Sequence, residues 1–315
     1  MKKSICVLLA SVMVLALALT GCGGSKSPSP AAPSAGSTSQ NQAAESSGPK
    51  GEVVTMAIIS TWNTLNIYNT SGNYGHCVAD QLFERMVSCT HDGEYLPRLA
   101  DSWEMSEDHT SMTFHMNKNA KWHDGEPLTA DDVVFTLKAV TSEKMDNYYR
   151  SKFVCLAGTD DNGICASPDD LQVEAIDDYT VKVGLKTPKD EQTVLSTLCS
   201  FFYVLPQHIL DTGDYSDINS SDFWTSPVGA GPFKYVKDIA GEQLEMTANE
   251  DYYLGCPDFK TFVIKVVPAT SLTAGLLNGE IDVVGAGSIP LSDWGTIESS
   301  DNLVAESIPR YAYQY

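Results

Sequence analysis

The side chains best placed to do chemistry lie in Trp122–Gly125 (WHDG), where an imidazole adjoins a carboxylate. A histidine beside an aspartate is typical of metal sites and of acid–base pairs. The residues around it favour a structural role, because Asp-Gly forms a tight turn, Pro127 fixes φ and Thr129 can cap a following helix. We therefore interpret the motif as a corner between a strand and a helix.

A second candidate is the loop Gly229-Ala230-Gly231, which precedes Pro232 and a predicted strand. A phosphate-binding loop needs a helix directly after its glycines, and none is predicted here. Two interpretations stay open. The loop lets the backbone approach a ligand closely, or it is an ordinary turn.

The other motifs that could carry catalysis or metal binding are incomplete. The acidic stretch at Asp160 resembles a calcium loop, but in that register the first ligand position is Gly158, which has no carboxylate. Neither G-x-S-x-G nor H-E-x-x-H occurs. The histidines outside the WHDG motif do not fall at metal-ligand spacing: His76, His91, His109, His115 and His208. The sequence therefore predicts no enzyme, no cofactor and no metal.

Six cysteines follow residue 22 without forming a C-x-x-C pair: Cys77, Cys89, Cys155, Cys165, Cys199 and Cys256. This spacing argues against a zinc or redox site, and the sequence cannot choose among the possible disulfide pairings. Cys155 and Cys165 bracket a turn-rich stretch and could pair outside the cell. Buried unpaired thiols are the alternative.

The N-terminus predicts export. Two lysines precede an apolar run, Ile5–Leu19, which is short for a membrane span. The tetrad Leu19–Cys22 resembles the lipobox of bacterial lipoproteins, in which the cysteine becomes the lipidated N-terminus. That resemblance implies that residues 1–21 are a signal peptide and that Cys22 carries lipid. An uncleaved membrane anchor is the alternative.

Residues 22–51 form a predicted flexible linker. After Cys22 they contain no aromatic residue and no Val, Ile, Leu or Met, so they have no apolar surface to bury. A mucin-like stalk is the alternative. The mature chain is expected at the cell surface, held by lipid on the outer face of the plasma membrane, or in the periplasm of a cell with two membranes.

The chain is strongly acidic, with 41 Asp and Glu against 20 Lys and Arg and a formal charge of −21. Removal of residues 1–21 takes away two lysines and no acid, so the charge moves to −23. Repulsion from phosphates excludes nucleic acid and anionic membrane surfaces as good partners.

Apolar periodicity predicts a mixture of strands and helices, which is an α/β or α+β fold. Strands are expected at residues 53–60, 111–116, 171–176, 179–185, 232–239, 242–248, 259–267 and 280–284. Helices are expected at residues 76–88, after a Thr129 cap with Asp132 as its acidic partner, and at 270–279, where Gly279 ends the last one.

Several ordered blocks then resemble the extracellular solute-binding proteins of the peptide/nickel cluster, called family 5. The family patterns "P.LA.SWE" and "WHDG.PLTA.DVV" are matched closely, and VGAGPFKYV stands where the family has "GTGPY". The matching blocks are Phe83–Val87, Pro97–Glu104, Thr113–Met116, Lys121–Val134, Val228–Val236, Ala248–Phe259 and Leu276–Val283.

The resemblance implies a periplasmic-binding-protein-like, two-lobed Venus-flytrap fold of type II with mixed sheets. Residues 52–87 and 191–268 would form lobe one, residues 88–190 an inserted α/β subdomain, and residues 269–315 the start of lobe two. Family members continue well beyond this length. We therefore expect the second lobe to be incomplete, because the chain is a fragment or the gene is broken.

The resemblance also implies a function. Such a protein captures oligopeptides or dipeptides as a monomer and passes them to the permease and ATPase subunits of an ABC importer. The same fold could instead bind a nickel chelate, an opine or an oligosaccharide. An extracellular hydrolase is a third possibility, for which no nucleophile or metal motif exists.

Alignment to the family pattern places the ligand-binding residues in three segments, namely Ser71-Gly72-Asn73-Tyr74, Tyr148-Tyr149 and Gly229-Ala230-Gly231. The alternative is that the two adjacent tyrosines are ordinary surface residues of the subdomain.

Overall fold

The computed structural model describes residues 51–70, 72–286 and 289–305, so the predicted signal peptide, Cys22, most of the linker and Ser71 lie outside the described residues. The strands are β1 (Gly51–Ile58), β2 (Val87–Cys89), β3 (Tyr95–Pro97), β4 (Ala100–Met105), β5 (Ser111–Met116), β6 (Val173–Asp177), β7 (Thr180–Gly184), β8 (Phe233–Ile239), β9 (Gln243–Ala248), β10 (Phe259–Val266) and β11 (Val283–Val284). The α-helices are α1 (Asn73–Leu82), α2 (Ala130–Thr141), α3 (Glu191–Ser200), α4 (Gln207–Leu210), α5 (Ser216–Ser220), α6 (Leu272–Asn278) and α7 (Trp294–Glu298).

Five strands form a mixed sheet in the order β11-β1-β10-β9-β8. Strand β1 runs parallel to both of its neighbours, with Met56 opposite Ile264 in β10. Strands β10, β9 and β8 are antiparallel to one another, which confirms the hairpin predicted over residues 232–248. Alternation along β9 buries Leu244 and Met246, because successive side chains of a strand point to opposite faces.

A separate antiparallel sheet has the order β4-β5-β7-β6. The predicted alternation of β5 is confirmed, since Met112 and Phe114 are buried and His115 is exposed. Helix α2 packs on this sheet against β6 and β7. Its predicted cap is also confirmed, because the Asp132 carboxylate accepts the backbone N–H of Thr129 at 2.9 Å.

Helix α1 differs from the helix predicted at residues 76–88. It begins at Asn73 and ends at Leu82, and Phe83 is already extended with φ −112° and ψ 169°. The Leu82 carbonyl accepts the backbone N–H of Gly231 at 3.0 Å, so it is not available for another helical turn. The apolar residues that suggested a longer helix continue into strand β2 instead.

Residues after 269 also contribute to the five-stranded sheet. Strand β11 pairs in parallel with β1, and helix α6 packs on the same sheet. Leu272 of α6 is buried together with Ala57 and Ile281. Helix α6 and strand β11 therefore belong with the five-stranded sheet, because the apolar side of α6 is buried against β1. The lobe boundaries stay a prediction.

Five cysteines are free thiols in the structure: Cys77, Cys89, Cys155, Cys165 and Cys256. Cys155 and Cys165 are both buried, so the structure matches the unpaired alternative for them. Within the described ranges, no helix combines the length and apolar character needed to cross a bilayer. The same residues include no group of three or more His, Cys, Asp or Glu side chains that could hold a metal ion.

Candidate functional site

Two of the predicted segments meet at the start of helix α1. Gly72 precedes the helix with φ 95°, a conformation that glycine adopts without strain, and Asn73 begins the first turn. The hydroxyl of Tyr149 donates to the carbonyl oxygen of Thr70 at 2.8 Å, and the backbone of Gly72 also bonds to that hydroxyl. We call this surface the tyrosine face, and it consists of Gly72, Asn73, Tyr74, Tyr148 and Tyr149.

Aromatic rings hold Tyr149 from behind. Its ring stacks on Phe201 with centroids 5.0 Å apart, and Nε2 of His76 lies 3.1 Å from its hydroxyl. Burial raises the pKa of Tyr149, so the hydroxyl stays protonated near neutral pH. Tyr148 differs, because it is 67% exposed, and its backbone N–H donates to the carbonyl oxygen of Tyr68 at 3.0 Å. Tyr149 is therefore fixed, whereas Tyr148 offers its ring to solvent.

A charged network lies beneath the tyrosine face. The Tyr203 hydroxyl donates to Oδ1 of Asp80 at 2.7 Å, and Arg85 donates to both of these side chains. The Arg85 guanidinium also lies over the Tyr203 ring, 4.4 Å from its centroid. Burial raises the pKa of Tyr203 well above its ordinary value. Because Nδ1 of His76 lies 3.1 Å from the Tyr203 hydroxyl, this ring links the network to Tyr149.

A polar cleft of about 400 Å³ opens beside Tyr148. It is lined by Asn69, Asp146, Asn147, Tyr148 and Arg150. The Asn147 side chain is engaged internally, since it accepts the backbone N–H of Tyr149 at 2.8 Å. Asp146 is exposed. The cleft has the volume of a small-ligand pocket and an unshielded carboxylate at its edge.

The third predicted segment lies elsewhere and is not accessible. Gly229, Ala230 and Gly231 are all buried. A Cβ atom on Gly229 would lie 1.7 Å from the carbonyl oxygen of Leu82, and one on Gly231 would lie 2.4 Å from that of Gln81. Glycine is required here because the loop packs on the backbone of α1. That this loop also lines the ligand cleft stays a prediction.

His123 fixes the same loop. Its Nδ1 accepts the backbone N–H of Gly229 at 3.1 Å, and its Nε2 lies 2.9 Å from the carbonyl oxygen of Gly231. These contacts require a neutral ring with the proton on Nε2. Burial lowers the pKa of His123 to about 4, which keeps the ring neutral. Asp124 bonds to His208 at 2.8 Å instead, so WHDG is a structural corner, as predicted.

Sequence reasoning missed a buried ion pair centred on Glu84, which is 2% exposed. Its carboxylate accepts from Arg98 at 3.0 and 3.1 Å and from the hydroxyl of Tyr252. Burial opposes the charge of Arg98, but the neighbouring Glu84 raises its pKa overall. A signal was available, because all three residues fall within blocks that match the family pattern.

Comparison with known proteins identifies the family. Residues 94–315 match the family described as "Bacterial extracellular solute-binding proteins, family 5 Middle". The chain belongs to this family. The predicted fold class is also confirmed, since the mixed α/β sheets match about half of two-lobed, periplasmic-binding-protein-like relatives. Proteins of family 5 bind solutes outside the cytoplasm and serve transport.

Three relatives define the comparison. The oligopeptide-binding protein AppA of Bacillus subtilis is 29% identical over 317 residues, which cover 100% of this chain and 53% of AppA. The AppA structure in complex with a nonapeptide has a TM-score of 0.70 at 27% identity, over 81% of this chain and 47% of AppA. NikZ of Campylobacter jejuni, in complex with Ni(L-His), has a TM-score of 0.66 at 25% identity, over 81% of this chain and 46% of NikZ.

The third relative is Haemophilus influenzae OppA in complex with RPPGFSPFR. It gives a TM-score of 0.68 at 24% identity, over 80% of this chain and 49% of OppA, which supports the fold alone. The chain thus spans about half the length of the relatives that it matches.

Proposed function

We propose that this protein is the substrate-binding component of an ABC importer and that it captures oligopeptides or dipeptides outside the cytoplasm. The observation that carries this proposal is the match to AppA along the whole chain, because the AppA structure holds a nonapeptide. Binding proteins of this kind hold an extended peptide through its backbone and leave room for varied side chains. The ligand would then pass to a permease and its ATPase, with the binding protein acting as a monomer.

In this proposal the ligand contacts the tyrosine face, next to Ser71. Tyr148 supplies an exposed ring, Asn73 supplies an exposed amide, and the polar cleft beside Tyr148 accepts one ligand side chain. Lobe one would contain the five-stranded sheet, and residues 88–190 would form the inserted subdomain. Ligand contacts to both lobes would favour a closed form.

The test is titration calorimetry of the full chain with RPPGFSPFR. We expect saturable one-to-one binding, and the peptide should be recovered intact, since no hydrolase motif exists. Absence of any heat at saturating peptide would contradict the proposal. Cleavage of the peptide would instead support the hydrolase alternative.

A nickel chelate is the second candidate, because NikZ holds Ni(L-His) and matches this fold at 25% identity. The described residues offer no group of three metal-binding side chains, so such a ligand would have to bring its own chelator. Titration with nickel(II)–histidine decides between the two. Saturable binding of this complex together with no response to peptide would favour the chelate.

The anchor is proposed from the lipobox resemblance of Leu19–Cys22. Cleavage would occur between Gly21 and Cys22, with diacylglycerol on Cys22. The Cys22→Ala variant should remain an uncleaved precursor, as judged by intact-mass measurement. A normal mature N-terminus and normal membrane retention in this variant would contradict the lipid anchor.

A further inference from the structure

His76 occupies a position that the proposed function does not use. It lies on helix α1, and its two ring nitrogens each lie 3.1 Å from a tyrosine hydroxyl, Nε2 from Tyr149 and Nδ1 from Tyr203. Its ring also packs edge-on against Phe201, with centroids 6.3 Å apart. The imidazole is therefore the one contact described above that joins the tyrosine face to the charged network beneath it.

The protons of this cluster can be assigned by counting donors and acceptors. Tyr149 has one O–H, which it donates to the carbonyl oxygen of Thr70 at 2.8 Å. Its oxygen therefore accepts from His76, so Nε2 must carry a proton. In a neutral ring Nδ1 then has a lone pair and lies 3.1 Å from the Tyr203 oxygen, while the Tyr203 hydroxyl donates to Asp80 at 2.7 Å. Asp80 also accepts from the Arg85 guanidinium in that arrangement.

Protonation of His76 adds one hydrogen bond to this arrangement. Nδ1 gains a proton from solvent and becomes a donor to the Tyr203 oxygen, 3.1 Å away. The Tyr203 hydroxyl keeps its own proton directed at Asp80, where the two oxygens lie 2.7 Å apart. All contacts remain satisfied in this second state, but a positive charge now lies behind Tyr149, with ring centroids 5.5 Å apart.

The charged and titratable groups around His76 come from every element packed on it. Asp80 and Cys77 lie on its own helix, Arg85 follows that helix, and the two tyrosines face it from other segments. Lys152 adds a further positive charge, since its Nζ lies 4.9 Å from the centroid of the Phe201 ring. Burial and then Arg85 lower the pKa of His76 below 6.5, while Asp80 raises it. The ring is thus neutral at pH 7 and becomes charged on acidification.

We propose that His76 positions Tyr149 through its Nε2–H in both protonation states and that it sets, in a pH-sensitive way, the charge behind the tyrosine face. This inference rests on the proposed peptide-binding function for its effect on ligands. Because the charge appears only in acid, the face should discriminate against cationic ligand groups at low pH and favour anionic ones. For charges about 10 Å apart in a partly hydrated site, the expected effect on affinity is about three- to tenfold.

The first experiment needs no ligand. Nuclear magnetic resonance of the full chain, with labelled histidine and tyrosine, reports the tautomer of His76 and the ring signals of Tyr149 between pH 7.5 and 4.5. We expect the Nε2–H tautomer at high pH, and a shared midpoint below 6.5 for the two residues. An Nδ1–H tautomer, or Tyr149 signals that ignore the His76 titration, would overturn the inference.

The second experiment measures the effect on binding by calorimetry across the same pH range. RPPGFSPFR should bind about three- to tenfold more weakly after acidification, whereas the same peptide with both arginines replaced by glutamate should not weaken. His76→Phe keeps the ring packing without its nitrogens, and His76→Gln is the second variant in case the first does not fold. Both should lose the difference between the peptides, whereas His91→Gln, at an exposed site, should keep it.

The results of these two experiments separate the inference about His76 from the proposed peptide-binding function. If the wild-type chain binds peptide but His76 variants retain its pH profile, the inference about His76 is wrong and the function stands. If neither peptide binds at any pH, the proposed function is wrong, and the resonance experiment alone decides whether His76 controls Tyr149.

Discussion

Replacement of Gly229 with alanine tests whether the glycine loop packs on the protein itself. The added Cβ would lie 1.7 Å from the carbonyl oxygen of Leu82 and 2.6 Å from its carbon. Because both atoms belong to the backbone of α1, no change of side-chain rotamer can relieve this overlap. The loop or the end of the helix has to move.

The size of the effect follows from what that movement disturbs. Overpacking of a well-packed core costs about 1–3 kcal/mol. Displacement of the loop also weakens the bond from Gly231 to Leu82 and the bond from Gly229 to His123, each contributing about 1 kcal/mol. We therefore expect the free energy of unfolding to fall by about 3–5 kcal/mol.

Urea unfolding of the full chain, followed by circular dichroism and by tryptophan fluorescence, measures this change. Gly295→Ala is the matched control, because a Cβ there meets nothing within 4 Å and Gly295 lies in helix α7. Alanine in a helix should stabilise by about 0.5–1 kcal/mol. If Gly229→Ala is as stable as this control but loses peptide affinity, the loop contacts ligand and the packing argument is refuted.

Three further predictions concern the ion pair, the histidine clamp and the tyrosine face. Glu84→Gln should lower the free energy of unfolding by about 3 kcal/mol, because it leaves Arg98 partly buried without its counter-charge. The pKa of His123 is lowered from 6.5 to about 4, so the unfolded chain binds the proton more readily. The stability that this ring contributes above pH 6.5 should be lost as the pH falls towards 4, and urea midpoints at both ends of this range measure the slope. Tyr149→Ala and Asn73→Ala should each weaken the binding of RPPGFSPFR by about 1–2 kcal/mol in calorimetry, with smaller changes in stability.

Each of these three predictions has a control or an outcome that would contradict it. Glu104→Gln removes an exposed carboxylate and should change the free energy of unfolding by less than about 0.5 kcal/mol. If Glu84→Gln has an effect as small as this control, the ion pair is dispensable for stability. His123→Asn should reduce the change of the urea midpoint with pH. An unchanged dependence on pH would mean that other titratable groups cause it. Unchanged affinity in both tyrosine-face variants would show that the ligand binds elsewhere.

Local signals account for the elements that the sequence predicts well. Strand β5 follows from alternation alone, the start of α2 follows from the Thr129 cap, and α6 ends at Gly279 with φ 78° because glycine tolerates that conformation. Each of these features depends on residues within a few positions of one another. A sequence shows such relations directly.

The features that sequence reasoning missed depend on distant contacts. Helix α1 stops at Leu82 because a loop about 150 residues later takes its carbonyl, and no local residue marks that end. The glycines of that loop are equally consistent with an approaching ligand and with an approaching backbone, and only the fold shows how closely they approach the backbone of α1. His76 meets tyrosines 73 and 127 positions away, and an isolated histidine in a helical pattern gives no sign of either.

Hydrogen–deuterium exchange of the full chain, with and without saturating RPPGFSPFR, shows whether the peptide binds at the tyrosine face. We expect slower exchange of the backbone amides at residues 72–76 and 146–150 in the presence of peptide. The buried loop at residues 229–231 should exchange slowly and equally in both samples. Protection at residues 229–231 alone, or no change at the two segments of the tyrosine face, would contradict the claim that peptide binds there.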